Sequence, residues 1–530
     1  MDTDPARPRA AARLRVTPSR ASALACAALL GGCVMGPDFE RPRATAPASF
    51  DSLAHTHADV PSRAVAAPYD GARWWSVFRD PVLDSLVDDA RRQNLDLQAA
   101  ALRIEEARAQ LGAAAAQGRP SVSGMGIGGR QRSSRNGFFS ALSGGGQQPG
   151  GSQGGSGGAG GAGGAGAAQQ AAPSPYSDLF QIGFDATWEL DLWGKARRGV
   201  EAANAGVLSA EQARGSALLS LTAEIARSYL QLRGAQRQRA IVEADIADER
   251  ELLKLTESRS RHGFAARADA VQQQAQLSSS EAQLPPIDQA IAQAMNGLAL
   301  LLALPPGALT QRLGAAPQAD AALPPELPVG LPGDLLRRRP DVLKAEADLH
   351  AATAKLGQAR AQLFPSITLG ASGGLQSVHA DSLTDWASRF WLGGAQVSIP
   401  IFEGGKLKAQ IRTSDVQMKE AALAWRGTVL SACHDADNAL EAYADEQCHA
   451  AALARALADA RRSDELMRSR HRSGFVSMIE VLDAQRRLHQ AQQQALQSNV
   501  AASTDLVALY KALGGDWSED AAANLASTAP

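Results

Sequence analysis

The chain has 530 residues, of which 45% are hydrophobic but only 5% aromatic, and its formal net charge at pH 7 is −2. So small a net charge gives no sign of a nucleic-acid partner, and an Ala- and Gln-rich chain with few aromatics suits long packed helices better than a compact globular core. The sequence contains no apolar stretch of about 18 residues, so a membrane crossing would have to be made by a β-barrel.

Residues 1–32 have the pattern of a lipoprotein signal peptide. Three arginines between positions 13 and 20 precede an apolar run that ends at Leu30, and Gly31-Gly32-Cys33 follows. This pattern predicts cleavage before Cys33 and a covalent lipid on its amino group, with no other cofactor expected. The alternative is an ordinary signal peptide with an incidental cysteine, and translation could also begin near Val16. Residues 33–80 are predicted to be an extended anchor segment.

The rest of the chain reads as an internal repeat. Asp96 matches Asp341 and Pro120 matches Pro365, each 245 positions further on. Gly194 matches Gly405 and Gly263 matches Gly474, each 211 positions further on. The first copy therefore holds 34 extra residues between Pro120 and Gly194, where a Gly/Ser/Gln/Ala run occupies 143–172. We expect a first repeat at 81–325 with this run as a flexible loop, a second at 326–515, and a flexible tail at 516–530.

Each repeat is predicted to form helix, strand, turn, strand, long helix, tight turn and helix. Asp80 is a good N-cap before Pro81, and the matching helix begins near Pro340. The segments 195–261 and 406–471 contain no proline, and the first predicts a helix about 100 Å long. Apolar residues recur in it every seven positions from Leu218 to Leu253, with Arg239 as the only break, which is coiled-coil spacing.

The strand that precedes the first long helix has the clearest pattern in the chain. Apolar and polar residues alternate strictly from Phe180 to Leu192, as expected of a barrel strand between lipid and water. A half-buried strand of a soluble sheet would show the same alternation. The second repeat offers weaker strands at Ser366–Leu375 and Ala395–Phe402, and a strand near Val122 is poorly patterned.

Four strands per chain cannot close a barrel, because the smallest useful barrel has about eight. An open edge in lipid would leave backbone groups without hydrogen-bond partners. We therefore expect a homotrimer whose twelve strands close a barrel and whose long helices bury their apolar stripes in a shared cylinder.

Several motifs together carry a family resemblance. They are Cys33-Val-Met-Gly-Pro-Asp-Phe-Glu-Arg-Pro42, Trp74-Trp75, Asp80-Pro81, Trp188-Glu-Leu-Asp-Leu-Trp-Gly-Lys195, Gly330-Leu-Pro-Gly-Asp-Leu-Leu-Arg-Arg-Arg-Pro-Asp341, Leu363-Phe-Pro-Ser-Ile367, Gly404-Gly405 and Val481-Leu-Asp-Ala-Gln-Arg486. In this order the chain resembles the TolC-like outer membrane efflux family, and most of all its lipoprotein (NodT) branch. The resemblance covers nearly the whole chain after the signal peptide.

The resemblance implies a mainly α protein with β structure: a trimeric 12-stranded barrel in outer-membrane lipid, a mixed equatorial region and a long periplasmic α-helical barrel. It also implies a resistance-nodulation-division inner-membrane pump and a periplasmic adaptor that meets the helix-turn tips. The matching tip positions are Gly263, Phe264, Gly474 and Phe475. The family often has Tyr three residues before the second tip glycine, where this chain has His471.

The family constricts its periplasmic end just beyond the second tip. The matching gate positions are Ile479, Glu480, Asp483 and Arg486, with Asp269 as the counterpart of Glu480 in the first repeat. Ile479, Asp483 and Arg486 share one helix face, and Arg486 could pair with Asp483 within the chain or across to a neighbour. The alternative is an ordinary solvated helix face.

Other chemical signals are weak. The Gly-Lys pairs at 194 and 405 lack the first glycine of a phosphate-binding loop and the Ser or Thr that ends it. Adjacent helix residues in Cys433-His434-Asp435 cannot converge on a metal ion, and Cys433 and Cys448 are expected to be unpaired. Arg337 to Arg339 is interpreted as an exposed run before a helix. We expect no catalytic residues, no metal and no enzymatic activity.

Three functions remain open at this point. The first is small-molecule efflux, and the second is a type I protein-secretion duct, which would share the same fold. The third is a periplasmic coiled-coil scaffold without transport, against which the alternating strand at 180–192 argues.

Overall fold

The computed structural model describes residues 34–43, 49–51, 62–65, 73–132, 176–315, 324, 326–330 and 332–515. The predicted signal peptide, Cys33, the Gly-rich run and the C-terminal tail lie outside the described residues. The chain divides into two units, which are described separately: a sheet unit (1–36, 113–199 and 357–410) and a helical unit (37–112, 200–356 and 411–530).

The fold is mainly helical with some sheet. The strands are β1 (Arg63–Val65), β2 (Ser121–Arg132), β3 (Tyr176–Leu190), β4 (Glu326–Pro328), β5 (Ser366–Ser377) and β6 (Arg389–Ser398). The helices are α1 (Pro81–Gln93), α2 (Leu95–Gln117), α3 (Lys195–Arg261), α4 (Arg267–Glu281), α5 (Leu284–Leu301), α6 (Thr310–Leu313), α7 (Pro332–Arg338), α8 (Pro340–Ala361), α9 (Lys406–Arg472) and α10 (Met478–Ala512). None of the helices in the described ranges has both the length and the apolar composition needed to cross a membrane.

The sheet unit is built on one antiparallel sheet with the strand order β2-β3-β5-β6. The predicted bounds of three strands were wrong: β5 ends at Ser377, two residues after the predicted Leu375, and β3 and β6 differ at both ends. β3 begins four residues before Phe180 and ends two residues before Leu192, where the chain turns toward α3. β6 lies at 389–398 rather than 395–402, because its start is set by pairing with β5 and its end precedes Pro400, which has no N–H to donate.

The junction between β3 and α3 explains the tryptophan- and acid-rich motif at 188–195. Glu189 forms an ion pair with Lys195 at 3.0 Å, and Asp191 accepts a hydrogen bond from the backbone N–H of Arg197 at 2.9 Å. The Trp193 indole N–H donates to the carbonyl of Pro365 at 2.7 Å. These contacts turn the chain from strand to helix, so the lysine here has a structural role.

The helical unit contains most of α3, and the predicted bounds of this helix are confirmed at both ends. Leu218, Ile225, Leu232 and Ile246 are buried, as the heptad predicts. The break at Arg239 is explained by its ion pair with Asp288 of α5, at 2.7 Å. α9 also has 67 residues and ends at Arg472, one residue later than predicted.

A mixed core lies where α1, α3, α5 and α10 contribute apolar side chains. Trp75 is fully buried, and Trp74 stacks on Tyr510 with ring centroids 5.4 Å apart. Asp80 caps α1 by accepting from the backbone N–H of Val82 at 2.8 Å, and its second oxygen accepts from the Tyr229 hydroxyl at 2.5 Å. The strands β1 and β4 pair in parallel in the same unit.

Candidate functional site

The two helical tips have the same backbone geometry. α3 ends in a turn with Gly263 at φ +77°, where Phe264 N–H donates to Arg259 O at 2.8 Å and Gly263 N–H donates to Ser260 O at 3.1 Å. α9 ends with Gly474 at φ +80°, and Phe475 N–H donates to Arg470 O at 3.0 Å. This pair of bonds is a Schellman motif, whose left-handed position favours glycine. The predicted reversals are confirmed.

Each tip presents a phenylalanine ring to solvent. Phe264 and Phe475 are each 77% exposed, although both follow a well-ordered turn. The second tip has one further contact, because the Nδ1 atom of His471 lies 3.0 Å from the carbonyl oxygen of Val476. His471 therefore closes its own turn, in the position where the family often has tyrosine.

The two acidic gate positions also serve as helix caps. The Asp269 carboxylate accepts from the backbone N–H of Ala266 at 3.2 Å at the start of α4. The Glu480 carboxylate accepts from the backbone N–H of Ser477 at 2.7 Å and from its hydroxyl at 3.0 Å at the start of α10. Both satisfy donors that the first turn of a helix leaves unpaired. The capping role of these two carboxylates was not predicted from the sequence.

The predicted pairing of Arg486 with Asp483 within one chain is wrong. Asp483 pairs with Arg487 at 2.7 Å, not with Arg486. Residues four apart on a helix lie one above the other, so Arg487 reaches Asp483 directly. Ile479 and Arg486 are exposed, and Arg486 lines a polar cavity of about 340 Å³.

A buried charged cluster borders the same cavity. The Nδ1 atom of His489 on α10 lies 2.5 Å from the Asp245 carboxylate, and its Nε2 atom lies 3.6 Å from the Glu249 carboxylate. Ser280 of α4 donates its hydroxyl hydrogen to Glu249 at 3.0 Å, and Gln276 donates to the same oxygen at 3.4 Å. The cluster therefore ties α3, α4 and α10 together.

The cluster favours the charged states of His489 and Glu249. Burial by itself would lower the pKa of His489, but the carboxylates of Asp245 and Glu249 outweigh it and raise the pKa to about 9. Burial by itself would raise the pKa of Glu249, yet the ion pair with His489 and the hydrogen bonds from Ser280 and Gln276 lower it overall. At neutral pH the cluster is an imidazolium held between two carboxylates.

One residue of this cluster, Glu249, could have been recognised in the sequence from its place in the heptad pattern. Glu249 lies three residues after Ile246 and four before Leu253, so it occupies a core position of the heptad, and its side chain is 0% exposed. A carboxylate at such a position requires a charged or hydrogen-bonding partner. The identity of the partner depends on a residue 240 positions further along the chain.

The structure shows the surroundings of the arginine run and of the two cysteines that the sequence assigned no chemical role. Arg339 is mostly buried, not exposed as expected, because it pairs with Asp341 at 2.7 Å and Asp435 at 3.2 Å. Cys433 and Cys448 are free, as predicted. Among the described residues, no group of three or more His, Cys, Asp or Glu side chains is arranged to hold a metal ion.

The family model described as outer membrane efflux protein matches residues 86–304 and 331–515. The chain belongs to this family. This chain is 33% identical over 507 residues to the probable efflux pump outer membrane protein TtgC of Pseudomonas putida, and the match covers 95% of this chain and 97% of TtgC. It is 30% identical to nodulation protein T of Rhizobium leguminosarum bv. trifolii, covering 87% of this chain and 89% of that protein.

The solved structures agree with this assignment. The structure of the outer-membrane channel OprN matches with a TM-score of 0.78 and 29% sequence identity, covering 92% of this efflux protein and 100% of the OprN chain. The resemblance stated from the motifs is therefore confirmed.

Proposed function

We propose that this efflux protein is the passive exit duct of a tripartite pump in the outer membrane. An inner-membrane pump and a periplasmic adaptor would deliver small toxic molecules to it. Family membership supports the transport role, and one structural observation carries the proposal further: in the two central strands, β3 and β5, the register separates an apolar face from a polar one.

The apolar face runs across all four strands. In one row Val122 pairs with Ala186 and Ala186 pairs with Ala371; in the next, Phe184 lies between Gly124 and Gly373, and Gly373 pairs with Trp391. The next residues along β2, β3 and β5 form a polar row on the opposite face, with Ser123, Asp185 and Ser372 in register, and the row ends at the apolar Leu392 of the edge strand β6. A wall between lipid and an aqueous lumen needs this arrangement.

The sheet has two open edges, β2 and β6. Unpaired backbone groups at an edge are costly in lipid, because no water is present to satisfy them. Three copies joined edge to edge would give twelve strands and no free edge, which supports the proposal of a homotrimer. Two long helices of 67 residues each and two separate family matches support the proposed internal repeat.

A lipid on Cys33 would anchor the same assembly. The three residues that follow Cys33 are held against the sheet unit: Met35 N–H donates to Trp193 O at 3.0 Å, and Gly36, at φ +99°, packs so closely on Gly357 that a side chain would not fit. We infer that the anchor is fixed beside the strand-to-helix junction. Ile479, Glu480, Asp483, Arg486 and Asp269 remain the proposed gate, and the tips Gly263, Phe264, Gly474 and Phe475 the proposed adaptor contacts.

The test is a deletion strain with and without the restored gene, scored on a panel of antibiotics, dyes, detergents and metals. Sensitisation that the gene reverses would support efflux and identify the substrate class. Secreted proteins are compared in parallel. Unchanged sensitivity together with a missing secreted protein would replace efflux by type I secretion.

A further inference from the structure

Both helical tips carry a local excess of positive charge in an otherwise balanced chain. Residues 258–268 contain three arginines and no Asp, Glu or Lys, and residues 466–479 have the same composition; each segment is flanked by two acidic residues, Glu257 and Asp269 in the first and Glu465 and Glu480 in the second. The whole chain has 53 basic and 55 acidic residues. Because each tip also carries an exposed phenylalanine, aromatic and positive groups are concentrated at the same two points.

Four of these arginines are exposed: Arg261, Arg267, Arg470 and Arg472. None of the four forms an ion pair within the described ranges of the chain. Of the other two tip arginines, Arg259 is half-buried and Arg468 pairs with Asp464 at 2.7 Å. The nearest carboxylates beyond the turns, Asp269 and Glu480, accept bonds from helix-cap N–H groups. The positive charge of the tips is therefore available to a partner.

The backbone beneath each ring is constrained by its turn. The hydrogen bonds that close each turn hold the backbone of Phe264 and Phe475, so a partner that covers the rings has to order only the two side chains and not the turns themselves. Exposed aromatic rings beside arginines are the usual composition of binding hot spots.

We propose that the two tips bind a carboxylate-rich protein surface, with each phenylalanine ring seated in an apolar pocket and the four arginines paired with Asp or Glu around it. This proposal rests on the proposed function, in which the periplasmic adaptor is the protein that meets the tips. It adds the chemistry of the partner: its contact segment carries net negative charge.

The composition favours an acidic protein over an anionic lipid surface. Attraction to lipid headgroups depends on the number of positive charges and is served equally by lysine. Both tips use arginine alone, whose planar guanidinium binds a carboxylate through two parallel hydrogen bonds.

The test uses the full chain in living cells. Ser473, exposed beside the second tip, is replaced by the photoreactive amino acid p-benzoylphenylalanine, and the crosslinked segment is identified by mass spectrometry. The expected product is a periplasmic protein crosslinked within a segment of net negative charge. A neutral or basic segment, a crosslink to lipid alone, or no crosslink to protein would overturn the proposal.

Charge dependence is measured with two matched variants of the same chain. In the first, Arg261→Gln, Arg267→Gln, Arg470→Gln and Arg472→Gln are combined; in the second, four exposed arginines away from the tips are changed, Arg412→Gln, Arg455→Gln, Arg461→Gln and Arg462→Gln. We expect the crosslink yield to fall about tenfold in the first and to stay unchanged in the second, at equal amounts in the outer membrane. Equal yields in both variants would refute the role of the tip charges.

Loss of the crosslink and loss of transport are scored separately. The segment charge is measured on the chain that retains all its arginines, so it does not depend on whether a variant folds. If the sensitivity panel failed while the captured segment were acidic, the efflux assignment would be wrong and the surface proposal would stand.

Discussion

The sheet unit and the helical unit differ in the exposure of their large apolar side chains. In the sheet unit, large apolar residues point to solvent, with Trp391 85% exposed. In the helical unit, Trp75 and Leu298 are fully buried in a shared core. Among the described residues, the four strands are joined by their backbone ladder and form no buried apolar cluster, so the apolar face of β3 and β5 is open to the lipid of the proposed barrel. The helical unit already contains much of its own core.

Removing buried volume should damage the helical unit strongly and only at core positions. Leu298→Ala should lower the free energy of unfolding by about 3–5 kcal/mol, because Leu298 is 0% exposed. Leu300→Ala, two residues further on the same helix and 77% exposed, is the control and should change little. Thermal loss of the helical circular dichroism signal measures both. Equal destabilisation would show that Leu300 is covered by another copy.

A charge on the proposed lipid face should break the sheet unit. Ala371→Arg should cost roughly 2–4 kcal/mol per copy near the middle of a membrane, because the guanidinium would have to enter lipid. Ser372→Arg, one residue away on the opposite face, should be tolerated. The measurement is the amount of assembled protein in the outer-membrane fraction. If both variants assembled equally, the assignment of the two faces would be wrong.

The buried cluster makes the stability of the helical unit depend on pH. The pKa of His489 in the folded protein, about 9, is above the ordinary value of 6.5, so its stabilising contribution is complete below about pH 6.5 and is lost as pH rises through 9. Asp245 and Glu249 supply the negative charge, and Arg486 lines the adjoining cavity.

We therefore expect the thermal midpoint of the natural protein to decrease when the pH is raised from 6.5 to 9.5. The decrease should be larger than the one measured for His489→Gln over the same pH range. In free energy of unfolding, the part of the loss that His489 causes should be about 3 kcal/mol at most. His449→Gln removes an exposed histidine and is the control, with an unchanged pH profile. Parallel curves for the natural protein and His489→Gln would contradict the role given to the cluster.

The smallest effect concerns the glycine of the second tip. Gly474→Ala should destabilise by about 1 kcal/mol, because its φ of +80° is unfavourable for a side chain. Gly427→Ala, in the interior of α9 with open space around it, should stabilise by roughly 0.5–1 kcal/mol. Relative to the natural protein, the thermal midpoint should fall for Gly474→Ala and rise for Gly427→Ala. A stabilising Gly474→Ala would show that the turn is not held in this conformation.

The candidate site shows where reasoning from sequence ends. Gly263 and Gly474 were located from their place after long proline-free helices, since a turn of this kind requires glycine locally. The choice between Arg486 and Arg487 as partner of Asp483 needed the actual side-chain geometry. His489 was missed because its two partners come from a helix 240 residues earlier.

The sequence by itself determined the bounds of α3, the cap at Asp80, the tip reversals and the alternation in β3. All of these depend on residues within a few positions of one another. The tertiary structure alone decided the strand ends, the parallel pair of β1 and β4, the burial of Arg339 and the partners of Glu249. The reason is physical: periodicity and caps are set by neighbouring residues, whereas pairing and burial depend on which distant segments the fold brings into contact.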